Sequence, residues 1–470
     1  MAKGKLIEMF GQLDDSQLRQ FNQFVRSPFF NRHQQVIQLF EYLRKHKNGQ
    51  FVSVTEEKMY ARLFPAQPFD AAKLNHVKNY LVRVLETYLS WYTLQESELK
   101  QSRELADGLV HIGMDHLAQK QLRKSLKLLE SSDLRDEAYY RNQYEINLKD
   151  FELQIKSGKR DRDFNLQRLT DSLDIAYIAE KLKMACILLA HQTIARKEYD
   201  TGLLDFLNTF LKDHPFLEEP TIRIYYHAYL SLTQPDVPEN LNLLIDSIYK
   251  YSHLFKVADL RNIYLMAINS CIRRSNKGQE EYLQPLFRLY RSGLESKVLL
   301  ENGMLTSWTY KNAASAGLKL KEYEWVFDFI HDYKDYLPFS EQEPFFHFNL
   351  AKYYFEQKEF DKAMPLLSRE EYADLLTNLA AKMMLTKMYY EEGEFEALSS
   401  LLASIKKFIY RKKVLGYHKD HYLAIIAYIY KMLDMPTTDR AAWRALRNEI
   451  ALSKVTEKDW LLEQIDRAVA

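Results

Sequence analysis

One sentence of residues is written twice near the C-terminal end of this chain. Leu350-Ala-Lys-Tyr-Tyr-Phe-Glu-Gln-Lys-Glu-Phe-Asp-Lys-Ala-Met-Pro-Leu-Leu367 aligns with Leu385-Thr-Lys-Met-Tyr-Tyr-Glu-Glu-Gly-Glu-Phe-Glu-Ala-Leu-Ser-Ser-Leu-Leu402 at an offset of 35 residues. A repeat of that length is one helical hairpin, and a hairpin cannot bury both of its faces alone, so several must stack. In each copy a first helix runs out at Phe355-Glu-Gln-Lys358 or Tyr390-Glu-Glu-Gly393, and a second starts at Phe360 or Phe395. Helices joined by so short a turn pack antiparallel. Leu350, Ala351 and Tyr354, repeated as Leu385, Thr386 and Tyr389, put one large, one small and one aromatic residue on one face. The small residue admits a neighbouring helix, and Phe360, Ala363 and Leu367 form the complementary stripe.

With these residues the chain resembles the tetratricopeptide repeat (TPR) family, whose signature is a leucine, a small residue next to it, a tyrosine four beyond, then an aromatic and an alanine opening the second helix. It departs from that signature at Leu398, where alanine is preferred, and lacks both the tryptophan of the first helix and the closing proline. Lys321-Glu-Tyr-Glu-Trp325 echoes the turn at an offset of 37, and Lys197-Glu-Tyr-Asp200, followed by Leu203, Leu204 and Leu207, echoes it again. The resemblance implies an all-α protein, a right-handed superhelical α-solenoid of TPR-like hairpins over residues 96–470, behind a small N-terminal helical cap domain over residues 1–95. It also implies a groove lined by the first helix of each hairpin. Carried over position by position, the partner-binding residues are Phe348, Lys352 and Phe355 in one copy and Met383, Lys387 and Tyr390 in the next. Lys352 and Lys387 are equivalent, which suits an acidic or carboxylate-bearing peptide.

Length and composition set the outer limits. A chain of 470 residues exceeds a single compact core. Hydrophobic residues at 47% and charged residues at 27% describe a folded, soluble protein. The formal charge of +1 gives no global pull toward nucleic acid or an anionic membrane. The basic start at Met1-Ala-Lys-Gly-Lys5 is followed by an apolar run too short for a signal peptide, and the run Met184 to Ala190 is too short to span a bilayer. A cytoplasmic location is expected, with Cys186 and Cys271 as buried free thiols. The 32 Tyr, 26 Phe and 5 Trp fill gaps between helices, and some are available to line a peptide groove.

Read in order, Leu13-Asp-Asp-Ser-Gln17 caps a helix carrying Leu18, Phe21, Phe24 and Val25, which Ser27-Pro28 stops. Phe29-Phe30-Asn31 starts another, ending at Asn48-Gly49. Ser53-Val-Thr-Glu56 is expected to be a capping box for a helix ending at Pro65, and a long helix runs from Asp70. No proline occurs between Pro68 and Pro215, so long helices with short turns are expected there, the turns falling at Asp107-Gly108, Ser131 to Asp133, Ser157-Gly158 and Lys197 to Tyr199. Ser340 to Glu343 and Ser368 to Glu371 read as capping boxes for the repeats, and helices over 438–452 and 457–469 close the array.

Catalytic patterns are missing: no glycine-rich phosphate loop, no Gly-x-Ser-x-Gly, no His-Glu-x-x-His and no Cys-x-x-Cys. No enzyme activity, cofactor or metal is expected. His418 and His421 share a helix face but read as a polar helix start, and His111 and His116 point apart. Lys406, Lys407, Arg411, Lys412, Lys413 and Lys419, interleaved with Phe408, Tyr410 and Tyr417, form the densest basic stretch and read as a solvated face. The expected function is a non-enzymatic scaffold binding a partner protein or peptide, with nucleic acid and membrane not the expected partners. The competing reading is a transcriptional regulator with a DNA-binding head, since residues 1–50 hold eight Lys/Arg against four Asp/Glu. Against it, Ser27-Pro-Phe-Phe-Asn31 is apolar and lacks the small-residue turn of a helix-turn-helix.

Overall fold

The computed structural model describes residues 4–47, 49, 51–158, 164–195, 197–368, 372, 374–411, 418–436, 438–453, 455 and 457–469. Among these the chain is all-α, with one isolated bridge between Glu301 and Met304 and no strand. No helix among them is long and apolar enough to cross a membrane. Contacts divide the chain into Met1–Lys181 and Leu182–Ala470.

The first unit contains α1 (Lys5–Gln12), α2 (Asp15–Arg26), α3 (Gln34–His46), α4 (Glu56–Leu63), α5 (Ala71–Gln95), α6 (Glu98–His111), α7 (Asp115–Glu130) and α8 (Glu137–Lys156), and α9 (Leu166–Ala195) crosses the division. Helices α1 to α5 enclose their own core, centred on Phe10, Phe21, Leu39, Phe40, Leu81 and Tyr88. Asp14 caps α2 in a reciprocal box with Gln17, because its carboxylate and the Gln17 amide satisfy amide groups that the first turn leaves open. Thr55, not Ser53, caps α4, accepting from the Lys58 amide. Helix α3 starts at Gln34, after a loop over 27–33. Buried Asn31 holds that loop, donating to the Val25 carbonyl at 2.8 Å and accepting from the His33 amide at 2.9 Å. The proline-free stretch folds as expected into long helices, 25 residues in α5, 20 in α8 and 30 in α9. Asp107 and Gly108 lie inside α6; the turn comes at Gly113, whose φ of +77° is the left-handed conformation that ends a helix at little steric cost.

The second unit continues with α10 (Leu204–Leu211), α11 (Pro220–Thr233), α12 (Pro238–Tyr251), α13 (Val257–Ser275), α14 (Leu283–Glu295), α15 (Ser307–Lys319), α16 (Tyr323–Asp332), α17 (Gln342–Glu356), α18 (Phe360–Ser368), α19 (Leu375–Glu391), α20 (Phe395–Arg411), α21 (His418–Asp434), α22 (Arg440–Leu452) and α23 (Lys458–Val469). Packing is in neighbouring pairs, α11 with α12, α13 with α14, α15 with α16, α17 with α18, α19 with α20 and α22 with α23. First helices also touch across pairs, α11 with α13, α15 with α17 and α17 with α19. Helix α17 starts at Gln342 with no side-chain cap, Glu343 pairing with Lys334 instead, and Glu371 of the other expected box lies outside the described residues, as do Arg369 and Glu370.

The repeat is written into the backbone as well as the sequence. Lys321, Lys358 and Gly393 all turn left-handed, at φ +61°, +61° and +75°. The residue after each sends its amide back five positions, Glu322 to the Gly317 carbonyl, Glu359 to Tyr354 and Glu394 to Tyr389, at 3.0, 2.9 and 2.9 Å. Seven residues before each turn stands a fully buried small residue, Ala314, Ala351 or Thr386. Five residues after it Val326, Ala363 and Leu398 are fully buried, and nine after it Ile330, Leu367 and Leu402 are buried too. The hairpin of α6 and α7 follows the same rule around Gly113: Ala106 and Ala118 are fully buried, Leu122 nearly so, and the Met114 amide bonds back to the Leu109 carbonyl at 2.8 Å. This copy escapes the sequence alignment because its turn reads Gly-Met-Asp in place of Lys-Glu-aromatic. The turn expected at Lys197 to Tyr199 falls later: residues 197–201 are irregular, and the chain turns at Gly202 and Leu203, with Gly202 left-handed at φ +62°.

Candidate partner-binding site

The first helices of the last repeats, α15, α17 and α19, bring together the residues singled out on the sequence, in two different roles. Phe348 and Met383, expected to face a partner, are each 3% exposed and belong to hydrophobic cores. The stripe that packs α17 and α19 is wider than the leucine, small-residue and tyrosine spacing suggests, so the aromatic and the thioether are consumed by packing. Lys352, Phe355, Lys387 and Tyr390 are half-buried, and Lys387 lies against the Phe355 ring.

Lys352 sits on α17 where only a neutral group meets it: its Nζ donates to Ser315 Oγ on α15 at 2.9 Å. Burial pushes its pKa down to about 8, against the pull of Glu356; Lys319 and Lys311 push it further down, and Glu457 pulls the other way. Lys387, its equivalent on α19, is satisfied. Its ammonium pairs with Glu457 at 2.5 Å and stands 5.8 Å from the Phe355 ring centroid and 5.7 Å from that of Trp460. Tyr390 packs edge-on against Trp460 at 5.5 Å, and burial raises its hydroxyl pKa.

Sequence reasoning missed the third cation. Lys311 of α15 donates to Thr377 Oγ1 at 3.0 Å and lies 4.0 Å from the centroid of Trp308, a ring left 47% exposed. Burial lowers its pKa, opposed by Asp374. In the repeat register Lys311 aligns with Phe348, so no alignment of lysines could reveal it. Nor could sequence place Glu391, whose nearly buried carboxylate gathers Lys358 at 2.7 Å, the Trp460 indole at 2.9 Å and Arg467 at 3.6 Å, tying α23 to α19.

Beside Lys352, one turn back on α17, Asn349 is fully buried with both side-chain polar atoms unpartnered. Of the basic stretch, Lys406 and Lys407 are exposed, and Lys419 stands 5.0 Å from the Tyr410 ring, itself 60% exposed; Lys412, Lys413 and Tyr417 lie outside the described residues. Cys186 and Cys271 are buried and free, and burial pushes both thiols up to about 12.

Compared with known proteins, the chain matches no family model and no curated sequence.

Proposed function

We propose that residues 182–470 form a TPR-like array, a right-handed superhelix of hairpins, that acts as a non-enzymatic scaffold and holds an acidic partner segment against α15, α17 and α19. The observation that carries this reading is the contrast between two equivalent lysines. Lys387 holds a carboxylate, Glu457, between two aromatic rings; Lys352 has the same place one repeat earlier and only a hydroxyl for company. The Ser315 hydroxyl and the more distant charges of Glu356 and Glu457 offset only part of the solvation this ammonium loses, and an incoming Asp, Glu or terminal carboxylate in direct contact would restore more of it. Trp308, Phe355 and Tyr390 offer apolar surface on either side, the mixture of rings and cations that peptide grooves use.

The test is a pull-down from lysate of the source cells with the intact protein beside Lys352→Glu and Lys352→Glu/Lys387→Glu. A protein captured by the parent chain and lost from the single variant supports the reading. Capture unaffected by either variant refutes it.

A further inference from the structure

A second surface, in the first unit and independent of the lysine site, has a different chemistry. Two adjoining cavities lie along α5 against the α2–α3 loop, about 210 Å³ and about 180 Å³, and Tyr80 lines both. The first is lined by His33, Gln35, Phe64, Lys73 and His76 among others, the second by Phe30, Arg83 and Thr87, and no carboxylate lines either.

We propose that this groove binds single-stranded nucleic acid, Lys73 and Arg83 holding backbone phosphates and Tyr80, His33 and Phe30 meeting bases.

Three features support the assignment. Residues 1–95 contain 13 Lys/Arg against 8 Asp/Glu, so the near-zero charge of the whole chain conceals a basic head. Five of those eight acids are engaged away from the groove: Glu86 on Lys5, Glu41 on Arg26, Glu56 on Lys78, and Asp14 and Asp70 on helix caps. Among the described residues no carboxylate comes within ion-pairing distance of Lys73 or Arg83. Lys73 donates to the neutral Gln67 amide at 2.7 Å and lies 4.2 Å from the Phe64 ring, while Arg83 lies 5.2 Å from the centroid of Tyr80.

The second feature is the row of rings. His33 meets Tyr80 edge-on at 4.4 Å, Phe30 stacks on Phe24 at 3.8 Å, and Phe29 and Trp91 extend the row into solvent, 84% and 41% exposed. Base–aromatic stacking tolerates any sequence because every base has a π-face. The loop carrying His33, Phe30 and Phe29 is fixed by buried Asn31, so the platform is preformed.

The third is dimension. Lys73 and Arg83 are ten residues apart on one helix, about 15 Å, the length of roughly four stacked nucleotides of one strand. The cavities admit a single planar base and are too small for a duplex. The loop between α2 and α3 spans seven residues, 27–33, where a helix-turn-helix uses a turn of three or four.

The test uses the full-length chain and fluorescein-labelled oligonucleotides of twelve nucleotides, single-stranded and duplex, in polarisation titrations at 50–300 mM salt, with poly-glutamate of equal charge as competitor. Expected are saturable binding of the single strand, weaker binding of the duplex, and no competition by poly-glutamate. Lys73→Glu/Arg83→Glu, both exposed positions, should weaken binding at least tenfold and flatten the log–log salt slope by about 1.4, at roughly 0.7 for each phosphate no longer neutralised. Tyr80→Leu, which keeps the packing, should cost about tenfold with the salt slope unchanged. Absence of single-strand binding, equal binding of duplex, displacement by poly-glutamate, or a double variant that melts and binds like the parent would each overturn the proposal. None of these outcomes bears on Lys352, so this site and the scaffold reading stand or fall separately.

Discussion

At the scale of single residues, Lys352 is where the fold gives up stability. A lysine whose folded pKa is depressed to about 8 is charged in both states below that value, so the penalty of enclosing its ammonium is fully present there. Between about pH 8 and the pKa of an unfolded lysine, about 10.4, the folded chain releases the proton before the unfolded chain does, and stability rises with pH. Lys352→Met keeps most of the packing and removes the charge. It should stabilise the protein by about 1–3 kcal/mol at pH 7, and by much less at pH 10.5, in denaturant melts at the two values. A variant less stable than the parent at pH 7 would mean that the Ser315 hydrogen bond outweighs the burial of charge. Gly317 is the opposite case. A Cβ there would lie 2.5 Å from Val326 Cγ2 and 3.2 Å from a Phe287 ring carbon, so Gly317→Ala should lower stability by about 1–3 kcal/mol despite the better helix propensity of alanine. A thermal melt of that variant matching the parent would show that α15 and α16 can part without cost.

At the scale of elements, the hairpin turn is the recurring physical device of the repeat. One left-handed residue closes the first helix, the amide after it bonds back five residues, and a small buried residue seven earlier lets the neighbouring helix approach. Gly393 adopts that φ with no side-chain penalty, whereas Lys321 and Lys358 incur it. Lys321→Gly should therefore stabilise the α15–α16 hairpin by up to about 1 kcal/mol, read as a higher melting temperature, and a drop would show that chain entropy dominates at this turn. Sequence made part of this device visible. The Lys-Glu-aromatic turns stood out because their residues recur, while the α6–α7 hairpin uses the same geometry with Gly113-Met114-Asp115 and no recurring letters. Helix starts were harder to place. Thr55 rather than Ser53 caps α4, and Asp107-Gly108 continues a helix, since a glycine ends one only where the chain is free to turn left-handed.

At the scale of the molecule, the all-helical class and the long helices of the proline-free stretch followed from the pattern of apolar residues and breakers. The candidate site was half legible. Lys352 and Lys387 declared themselves as equivalent positions, yet Phe348 and Met383, at equally regular spacing, went to the core, because periodicity reports a face without saying how deep the neighbouring helix sits. Glu457 and Trp460 lie about seventy residues beyond Lys387 and Tyr390 in sequence, and no local signal links them to α19. Glu457 pairs with Lys387, while Lys352, the equivalent position one repeat earlier, meets the Ser315 hydroxyl and, among the described residues, no carboxylate within ion-pairing distance. The most direct test is selection of random twelve-residue peptides on the intact chain, followed by titration of the enriched peptides against the parent and Lys352→Glu. Enrichment of Asp- and Glu-bearing peptides is expected, their affinity falling at least tenfold on the variant. Enriched peptides without acidic residues, or acidic ones that bind both proteins equally, would contradict that expectation.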